Sequence, residues 1–366
     1  MGRWGSPVAF AAAALFAISL APASAQARGP SFKRAIASYH ALQHWYYVPR
    51  HKLYKGEPFT HAWPFSQALA ATVRMSELQG VGGRYTDDVR ERLSGLDRYW
   101  DGQSDPPGYS GGVMPPLGRG GTKYYDDNEW IGLELVRRYE ASHAGQLLSR
   151  AQQMFDLAVS GWDDDETNPC PGGIVFSQSS SNTDRNTITN APAAELGVEL
   201  YKITGKRVYL DWAKRFYDWV QACMRNERGL YEDHITFDGY RDRTVWSYNQ
   251  GVMVGAKVLL YRATGEKDYL RSAKRSARVA LGWFTQNRLR HEPAAFAAIL
   301  FDNLLSLDAL RPDSRIRDTA TRYADWAWRS HRNRRSNAFF FPARQEPVLN
   351  QAAMVRIYAM LARIGR

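Results

Sequence analysis

The sequence has few of the residues that build disulfide or metal scaffolds. It holds two cysteines among 366 residues, too few for a disulfide-rich fold or a cysteine-rich metal site. Its eight histidines show neither the H-E-x-x-H pattern nor another paired ligand spacing, so a zinc site is not expected. Beyond the first 25 residues, no stretch reaches the length of about 18 apolar residues that a membrane span requires. These absences argue against a disulfide-rich protein, a zinc protein and a membrane-spanning protein, and they leave a globular protein for which no resident metal is expected.

The chain is instead rich in aromatic and basic residues. Tryptophan, tyrosine and phenylalanine make up 13% of it, and those that the core does not bury suit a groove for flat, amphipathic ligands such as sugars. The formal net charge of +11 favours a location near anionic polymers of a cell envelope. The densest basic segment, Arg329–Arg335, runs into Phe339–Phe341. Because no nucleic-acid motif accompanies it, we interpret this segment as a solvated loop and expect no nucleic-acid partner.

The first 25 residues have the organisation of a secretory signal peptide. Arg3 is followed by the apolar run Val8–Leu20 and by the small-residue cleavage site Ala23–Ala25. We therefore expect a secreted or periplasmic protein with no membrane span in the mature chain, an uncleaved anchor being the alternative. Export permits a disulfide between Cys170 and Cys223, and the sequence leaves open whether the fold brings them together.

Apolar residues recur at helical spacing almost everywhere, and clean strand alternation is nearly absent. Six segments are apolar on several faces, as is typical of buried helices, and they lie at Phe65–Val73, Trp130–Tyr139, Ala193–Tyr201, Val252–Tyr261, Phe296–Leu305 and Asn350–Leu361. Amphipathic, charged segments separate them. The pattern predicts an all-α fold with six inner helices inside an outer ring, residues 26–366 forming one domain. A helix near Phe32–Tyr46 would close the circle.

Two near-identical connections support a repeated unit. Residues 201–210 read YKITGKRVYL and residues 261–270 read YRATGEKDYL, with Gly205 and Gly265 placed as helix C-caps. The longest loops, residues 101–127, 161–189 and 226–249, each precede a predicted inner helix. We therefore expect these loops to meet at one end of the barrel and to carry the functional site.

Two adjacent carboxylates stand where the first long loop meets an inner helix, in the segment Tyr124–Trp130 (YYDDNEW). An aspartate just before a helix is a good N-cap, and one of the two would satisfy that need. The pair, flanked by Tyr125 and Trp130, also matches what glycoside hydrolysis requires, namely two carboxylates beside surfaces that hold sugar rings. The G-x-S-x-G match at Gly108–Gly112 is rejected, because a serine hydrolase needs a strand before that motif and a helix after it, whereas prolines flank it here.

The Asp-Asp segment resembles the corresponding motif of glycoside hydrolase family 76, the endo-α-1,6-mannanases. Further segments resemble that family in order along the chain, with weaker similarity at Asn350–Gln351. They are Trp63–Leu69 (WPFSQAL), Gly172–Ile174 (GGI), Arg185–Asn190 (RNTITN) and Thr244–Gly251 (TVWSYNQG). Together these matches are specific, whereas the aspartate pair alone is not.

The resemblance implies an (α/α)6 barrel and a retaining hydrolase of α-1,6-mannosidic linkages in mannan, with Asp126 as nucleophile and Asp127 as general acid/base. We expect a monomer without cofactor or metal. The predicted substrate-binding residues are Tyr125, Asn128, Trp130, Asn190, Trp246, Tyr248, Asn249 and Gln250. Packing and capping at helix N-termini is the alternative for these side chains, and for Trp130 burial is favoured because its helix is apolar all round.

Two departures from the family bear on subsite preference more than on chemistry. Val175-Phe176 stands where many members have tryptophans, and the loop Phe237–Arg243 is short and charged. The family contains fungal wall proteins thought to transfer chains, so an α-mannan transglycosylase is one alternative and a catalytically silent wall-glycan binder is another. A lyase or an unsaturated-glucuronyl hydrolase is a third. A lyase would need a basic residue beside its substrate carboxylate, which the Asp-Asp segment does not provide.

Overall fold

The computed structural model describes residues 1–2, 29–342 and 346–366, and α-helices dominate this part of the chain. Six helices form an inner ring: α2 (Ala62–Ser76), α4 (Tyr125–Ser142), α6 (Thr187–Thr204), α8 (Ser247–Thr264), α11 (Ala294–Leu310) and α13 (Pro347–Arg363). Six lie outside them: α1 (Pro30–Tyr46), α3 (Thr86–Leu96), α5 (Gly145–Ser160), α7 (Arg207–Cys223), α9 (Lys267–Trp283) and α12 (Ser314–Ser330). A short helix, α10 (Gln286–His291), precedes α11. Residues 3–25 of the predicted signal peptide lie outside the described residues.

The inner ring is closed. Each inner helix packs against the next in chain order, and α13 returns to pack against α2. Each inner helix also contacts an outer helix, and α1 packs along α13 as the sequence pattern predicted. The predicted double ring is therefore confirmed.

Burial explains which helices lie inside. In α13 every residue from Val348 to Leu361 is buried, whereas the outer helix α9 buries only a stripe of Leu270, Ala273, Ala277 and Ala280. This is the difference between helices that are apolar all round and amphipathic helices. Gly205 and Gly265 end α6 and α8 in the left-handed region, with φ of +70° and +74°, which confirms both predicted C-caps.

Short antiparallel strands join the loops at the N-terminal ends of the inner helices. β1 (Tyr47–Val48) pairs with β2 (Leu53–Tyr54), and β3 (Trp100–Asp101) with β4 (Gly108–Tyr109). A three-stranded sheet has the order β5 (Asp184–Asn186), β6 (His234–Thr236), β7 (Arg241–Asp242), with Arg185 opposite Ile235. The 3-10 turns are Gly82–Tyr85 and Asp97–Tyr99. The three-stranded sheet ties the loop before α6 to the loop before α8.

A disulfide and a buried arginine fix the loop before α6. Cys170 and Cys223 form a disulfide with their Cα atoms 6.0 Å apart, which settles the pairing that the sequence left open. The fully buried Arg185 guanidinium donates to the Asp163 carboxylate at 2.8 Å and to the Pro169 and Cys170 carbonyls at 2.9 and 3.1 Å. This loop therefore has a defined conformation where it meets the barrel end.

The opposite end of the barrel holds a cavity of about 490 Å³ at the C-terminal half of the inner helices. Its polar wall is an ion network, in which the Asp302 carboxylate accepts from Arg74 at 2.6 Å and from Arg356 at 3.1 Å, while Arg74 lies 3.5 Å from Glu134. Neither Asp126 nor Asp127 is among the residues that line this cavity, so the cavity is separate from the predicted catalytic pair. Across the described part of the chain, every helix falls short of the length and apolar character that crossing a bilayer requires.

Candidate active site

A repeated amide clasp holds the loops at the N-terminal ends of the inner helices. The Asn128 side chain on α4 accepts a hydrogen bond from the Tyr109 N–H at 2.6 Å and donates to the Tyr109 carbonyl at 3.0 Å. Gln250 on α8 forms the same pair with Tyr231, at 2.9 and 2.8 Å. A side-chain amide presents a donor and an acceptor together, so it can replace a strand partner for one loop residue.

Two other inner helices carry related clasps. Asn190 on α6 accepts from the Ile174 N–H at 2.9 Å and donates to the Asn186 carbonyl at 2.8 Å. Gln351 on α13 accepts from the Phe339 N–H at 3.0 Å. Four inner helices therefore use an amide in their first turns to anchor the preceding loop, which places that loop precisely relative to the barrel.

The clasps bear on part of the predicted binding set. Asn128, Asn190 and Gln250 are buried and their amides bond to backbone groups, which favours the packing and capping alternative for these three side chains. Tyr125 is buried as well. Trp130 is 8% exposed and lines the cavity at the other end of the barrel. Burial therefore favours the packing alternative for all five side chains, four of them at the barrel end that carries the aspartate pair and Trp130 toward the other end.

The aspartate pair lies in the first turn of α4. Tyr124 occupies the N-cap position in an extended conformation, so neither aspartate serves as the N-cap. Asp126 is partly exposed and Asp127 is buried. Free N–H groups at the start of a helix stabilise negative charge, and this placement favours an ionised carboxylate.

The two carboxyls have different electrostatic environments. Burial raises the pKa of Asp126 to about 7, against the opposing effect of backbone N–H groups, and the charge of Asp233 adds to the rise. Burial raises the pKa of Asp127 well above its ordinary value, and the neighbouring Asp126 charge raises it further. Because the two carboxyls are neighbours, they titrate together, and the charge on one opposes the ionisation of the other.

Asp233 is a third carboxylate at this site, and sequence reasoning missed it. It directly precedes β6. Burial is the main reason that the pKa values of Asp126 and Tyr248 are raised, and the charge of Asp233 raises both further. The Asn249 amide donates to Asp233 at 3.4 Å, so Asn249 positions this carboxylate. The His234 imidazole lies 3.1 Å from Asp233, and this hydrogen bond raises the pKa of His234. No periodicity or motif marks Asp233 in the sequence.

Glu129 is a fourth carboxyl, one turn below the pair on α4. It is fully buried, and neither of its carboxyl oxygens has a hydrogen-bond partner of ordinary geometry among the described residues. Burial, followed by the charges of Asp126 and Asp127, raises its pKa well above the ordinary value, while the Ala193 N–H acts in the opposite direction. The spacing of three residues from Asp126 was a signal that could have found it, because such residues share a helix face.

Aromatic rings from three inner helices flank the pair. Tyr248 stacks on Phe296 with ring centroids 3.8 Å apart and planes within 10°. Trp246 meets Phe296 edge-on at 5.5 Å, and Trp63 lies 6.0 Å from the same ring. All four rings are half-buried. Burial raises the pKa of Tyr248, and the charges of Asp233 and Asp126 raise it further. The structure thus places the predicted Tyr248 near Asp126, and Phe296 links the predicted Trp246 and also Trp63 to Tyr248.

Asp233, His234 and Asp242 also present atoms that could ligate a metal, all within 4.8 Å of one another. Each of the three has a protein partner, since His234 is hydrogen-bonded to Asp233 at 3.1 Å and the Asp242 carboxylate accepts from the Thr244 N–H at 2.8 Å. We therefore assign these groups to the positioning of Asp233.

The arrangement of an aspartate pair at the mouth of a closed double ring has counterparts among known proteins. A model of glycosyl hydrolase family 76 matches residues 32–351. The chain belongs to glycosyl hydrolase family 76. The resemblance found in the motifs is thereby confirmed.

Solved structures share this barrel. The family 76 mannosidase Bt3792 from Bacteroides thetaiotaomicron VPI-5482 has a TM-score of 0.81 at 22% identity, with 92% of this chain and 100% of that chain covered. An inactive variant of the α-1,6-mannanase GH76A of Salegentibacter sp. HEL1_6, in complex with α-1,6-mannotriose, has a TM-score of 0.74 at 21% identity, with 91% and 99% covered. Both confirm the (α/α)6 fold.

Curated relatives are similar over a shorter region. Mannan endo-1,6-alpha-mannosidase DCW1 of Candida glabrata is 27% identical over 167 residues, which are 41% of this chain and 36% of that protein. The protein of the same name from Saccharomyces cerevisiae is 27% identical over 165 residues, again 41% and 36%. The match therefore spans little more than a third of the length of these relatives.

Proposed function

We propose that the protein is a retaining glycoside hydrolase that cleaves α-1,6-mannosidic linkages within mannan polysaccharides. The observation that carries this proposal is the aspartate pair in the first turn of α4, whose members differ in burial and in pKa. Family membership supports the reaction class, and the names of the curated relatives support the substrate. The Salegentibacter variant, inactive with two adjacent aspartates replaced, supports a role for such a pair.

The environments of the two carboxyls support the roles that the family resemblance implies. Asp126 is partly exposed and is the nucleophile, whereas Asp127 is buried, which favours its protonated form, and it is the general acid. Retaining enzymes hold the two carboxyl groups about 5–5.5 Å apart, a spacing within reach of neighbouring residues because adjacent Cα atoms are about 3.8 Å apart.

Two displacements follow from this assignment. In the first, the Asp126 carboxylate attacks the anomeric carbon, the glycosidic bond breaks, and Asp127 gives its proton to the departing O6 oxygen of the next mannose. In the second, the ionised Asp127 takes a proton from water, the water oxygen bonds to the anomeric carbon, and Asp126 leaves as a carboxylate. The product keeps the α configuration because the anomeric carbon is inverted twice.

The remaining groups position the sugar. The stacked Tyr248 and Phe296 rings, with Trp246 beside them, provide a flat surface for the apolar face of a mannose ring. Asp233 faces the pair and offers carboxylate oxygens to mannose hydroxyls, with Asn249 holding it in place. The same face gathers the loops that would border further mannose units.

Linear α-1,6-mannan tests the proposal, with products separated by chromatography and the anomer followed by NMR. We expect shorter α-linked oligosaccharides from the wild type and from the control Asp211→Asn, whose exposed carboxyl lies on the outer helix α7. Asp126→Asn should abolish cleavage with unchanged circular dichroism. Products longer than the substrate would instead indicate a transglycosylase, and binding without any product would indicate a silent glycan binder.

Azide separates the roles of the two carboxyls. With an aryl α-mannobioside, whose leaving group needs little protonation, Asp127→Ala should form the glycosyl-enzyme, and azide should release it as an α-glycosyl azide. Asp126→Ala cannot form that intermediate, so azide would attack the substrate directly and give the β-azide. The reverse pattern would exchange the two assignments.

We also propose that the mature protein is secreted or periplasmic and begins at Gln26, which rests on the signal-like segment of residues 1–25. Amino-terminal sequencing of the exported protein tests this. A start at Met1 in a membrane fraction would favour the uncleaved anchor.

A further inference from the structure

A cleft on the outer wall of the barrel carries three arginines without carboxylate partners. It lies between α10 and α12, has a volume of about 350 Å³, and is lined by Gln286, Arg290, Arg322, Asp325, Trp326, Arg329 and Ser330. On α12 the lining residues follow the spacing of one helix face. The cleft is outside the catalytic groove, and the proposed reaction makes no use of it.

The cleft has an uncompensated positive charge. Its one acidic side chain, Asp325, is already paired with Arg34 of α1. Among the described residues, Arg290, Arg322 and Arg329 have no carboxylate within ion-pair distance, and Arg322 donates only to the Thr319 hydroxyl at 3.2 Å. Three guanidinium groups that line one cleft without an acidic partner favour the binding of an anion there.

The basic surface continues toward the catalytic mouth. Residues 326–342 contain four arginines and no acidic residue. They form the end of α12 and the loop that leads into α13, so they lie at the end of the barrel where the inner helices begin. On the other wall, Glu292 follows Arg290 by two residues and accepts from the Ser247 N–H at 2.9 Å, at the start of α8. One wall of the cleft thus connects to the start of α8, where Trp246 and Tyr248 lie, and the other wall continues into the loop before α13.

We propose that this cleft, named here the arginine cleft (Arg290, Arg322, Arg329 and Trp326), binds a phosphate group carried by the mannan chain. The inference rests on the proposed mannan substrate. A phosphate has three or more acceptor oxygens and can bond several guanidinium groups at once, whereas one arginine is enough to saturate a carboxylate.

The aromatic floor points to a glycan as the carrier of the phosphate. Trp326 is half-buried in the cleft, and the Arg290 guanidinium lies 5.4 Å from its ring centroid. A flat ring beside cationic groups suits a sugar next to its phosphate. A membrane surface would instead require apolar side chains that project outward. The Trp326 ring is recessed in a concave site, and the 59% exposed Phe340 on the following loop does not line the cleft.

The test compares two variants that lose the same charge. The first is Arg290→Gln/Arg322→Gln/Arg329→Gln. The control is Arg90→Gln/Arg207→Gln/Arg271→Gln, which removes three exposed arginines that pair with an acid on their own outer helices. Binding is measured by affinity electrophoresis in gels that contain linear α-1,6-mannan or the same mannan after chemical phosphorylation. This readout does not depend on catalysis.

The arginine-cleft variant should bind phosphorylated mannan about tenfold more weakly than the wild type, and raise its KM without a change in kcat, while its affinity for neutral mannan stays the same. The control should match the wild type on both polymers. The proposal is overturned by equal losses in both variants, by a loss on neutral mannan, or by no loss. Preferential binding to vesicles of phosphatidylglycerol and phosphatidylcholine over phosphorylated mannan would also overturn it. A chain that binds phosphorylated mannan through the cleft but cleaves neither polymer would refute the proposed hydrolase and keep the anion site.

Discussion

Replacing the buried Glu129 by glutamine should make the protein more stable, and by more as pH rises. Glu129 is fully buried next to Asp126 and Asp127, and burial with these neighbours raises its pKa well above the ordinary value of 4.5. In the native protein it is therefore protonated over a range of pH in which the unfolded chain has already lost that proton. Across this range the folded state binds more protons, so the free energy of unfolding falls as pH rises.

The size of the effect follows from linkage. The loss amounts to about 1.4 kcal/mol for each pH unit between the ordinary and the raised pKa. Glutamine has the same shape and does not titrate, so Glu129→Gln removes this loss. Burial of an amide without partners adds an offset that is the same at every pH. The stability difference between variant and wild type should therefore be smallest near pH 4.5 and should climb by about 1.4 kcal/mol per unit above it.

Urea unfolding at pH 4.5, 5.5 and 6.5 measures this slope. The control is Glu140→Gln, which makes the same substitution at an exposed position near the other end of the same helix. Other titrating groups cancel when the variants are compared at each pH. A flat difference for Glu129→Gln, or one that falls with pH, would show that Glu129 is ionised in the fold and would refute the protonated assignment.

Three further outcomes are expected. Trp130→Ala should lower the free energy of unfolding by about 3–5 kcal/mol, because the ring is buried; an unchanged urea midpoint with poor mannan binding would reverse its role. Lys257→Met should stabilise the protein most below pH 7, because burial lowers the pKa of Lys257 to about 7. The gain in the free energy of unfolding should shrink by about 1.4 kcal/mol for each pH unit from 7 to 10, and a gain that does not depend on pH in urea unfolding would contradict this. Asn128→Ala should cost about 1–3 kcal/mol by leaving the Tyr109 N–H unpaired, and limited proteolysis should then cut the loop before α4 faster; equal rates would dismiss the clasp.

The ring could be predicted from the sequence because its inner helices differ from its outer helices in composition alone. A helix such as α13, buried from Val348 to Leu361, is apolar on several faces. This composition is visible in the sequence without knowledge of which helices pack against it. The aspartate pair could be predicted for a similar reason. Asp126 and Asp127 are neighbours in the chain, so their proximity does not depend on tertiary structure.

The rest of the site depends on contacts between distant parts of the chain. Asp233 reaches Asp126 only because the loop before α8 folds over the start of α4, and nothing local in the sequence encodes that approach. The amides were predicted to bind substrate on the basis of the family resemblance, with packing and capping as the alternative. Their repeated position in the first turns of α4, α6 and α8 was the available signal, since a residue that recurs in every repeat serves the scaffold more readily than one substrate.

The barrel end also controls how much charge the site can carry. Asp126, Asp127 and Glu129 lie together on α4, and burial raises the pKa of all three. The N–H groups at the start of α4 oppose this rise for Asp126, so a first negative charge is least costly there. Each further charge would have to form beside one that is already present, in a buried environment. The proposed retaining mechanism needs one carboxylate and one carboxylic acid side by side, and Glu129 is compatible with that state only while it stays protonated.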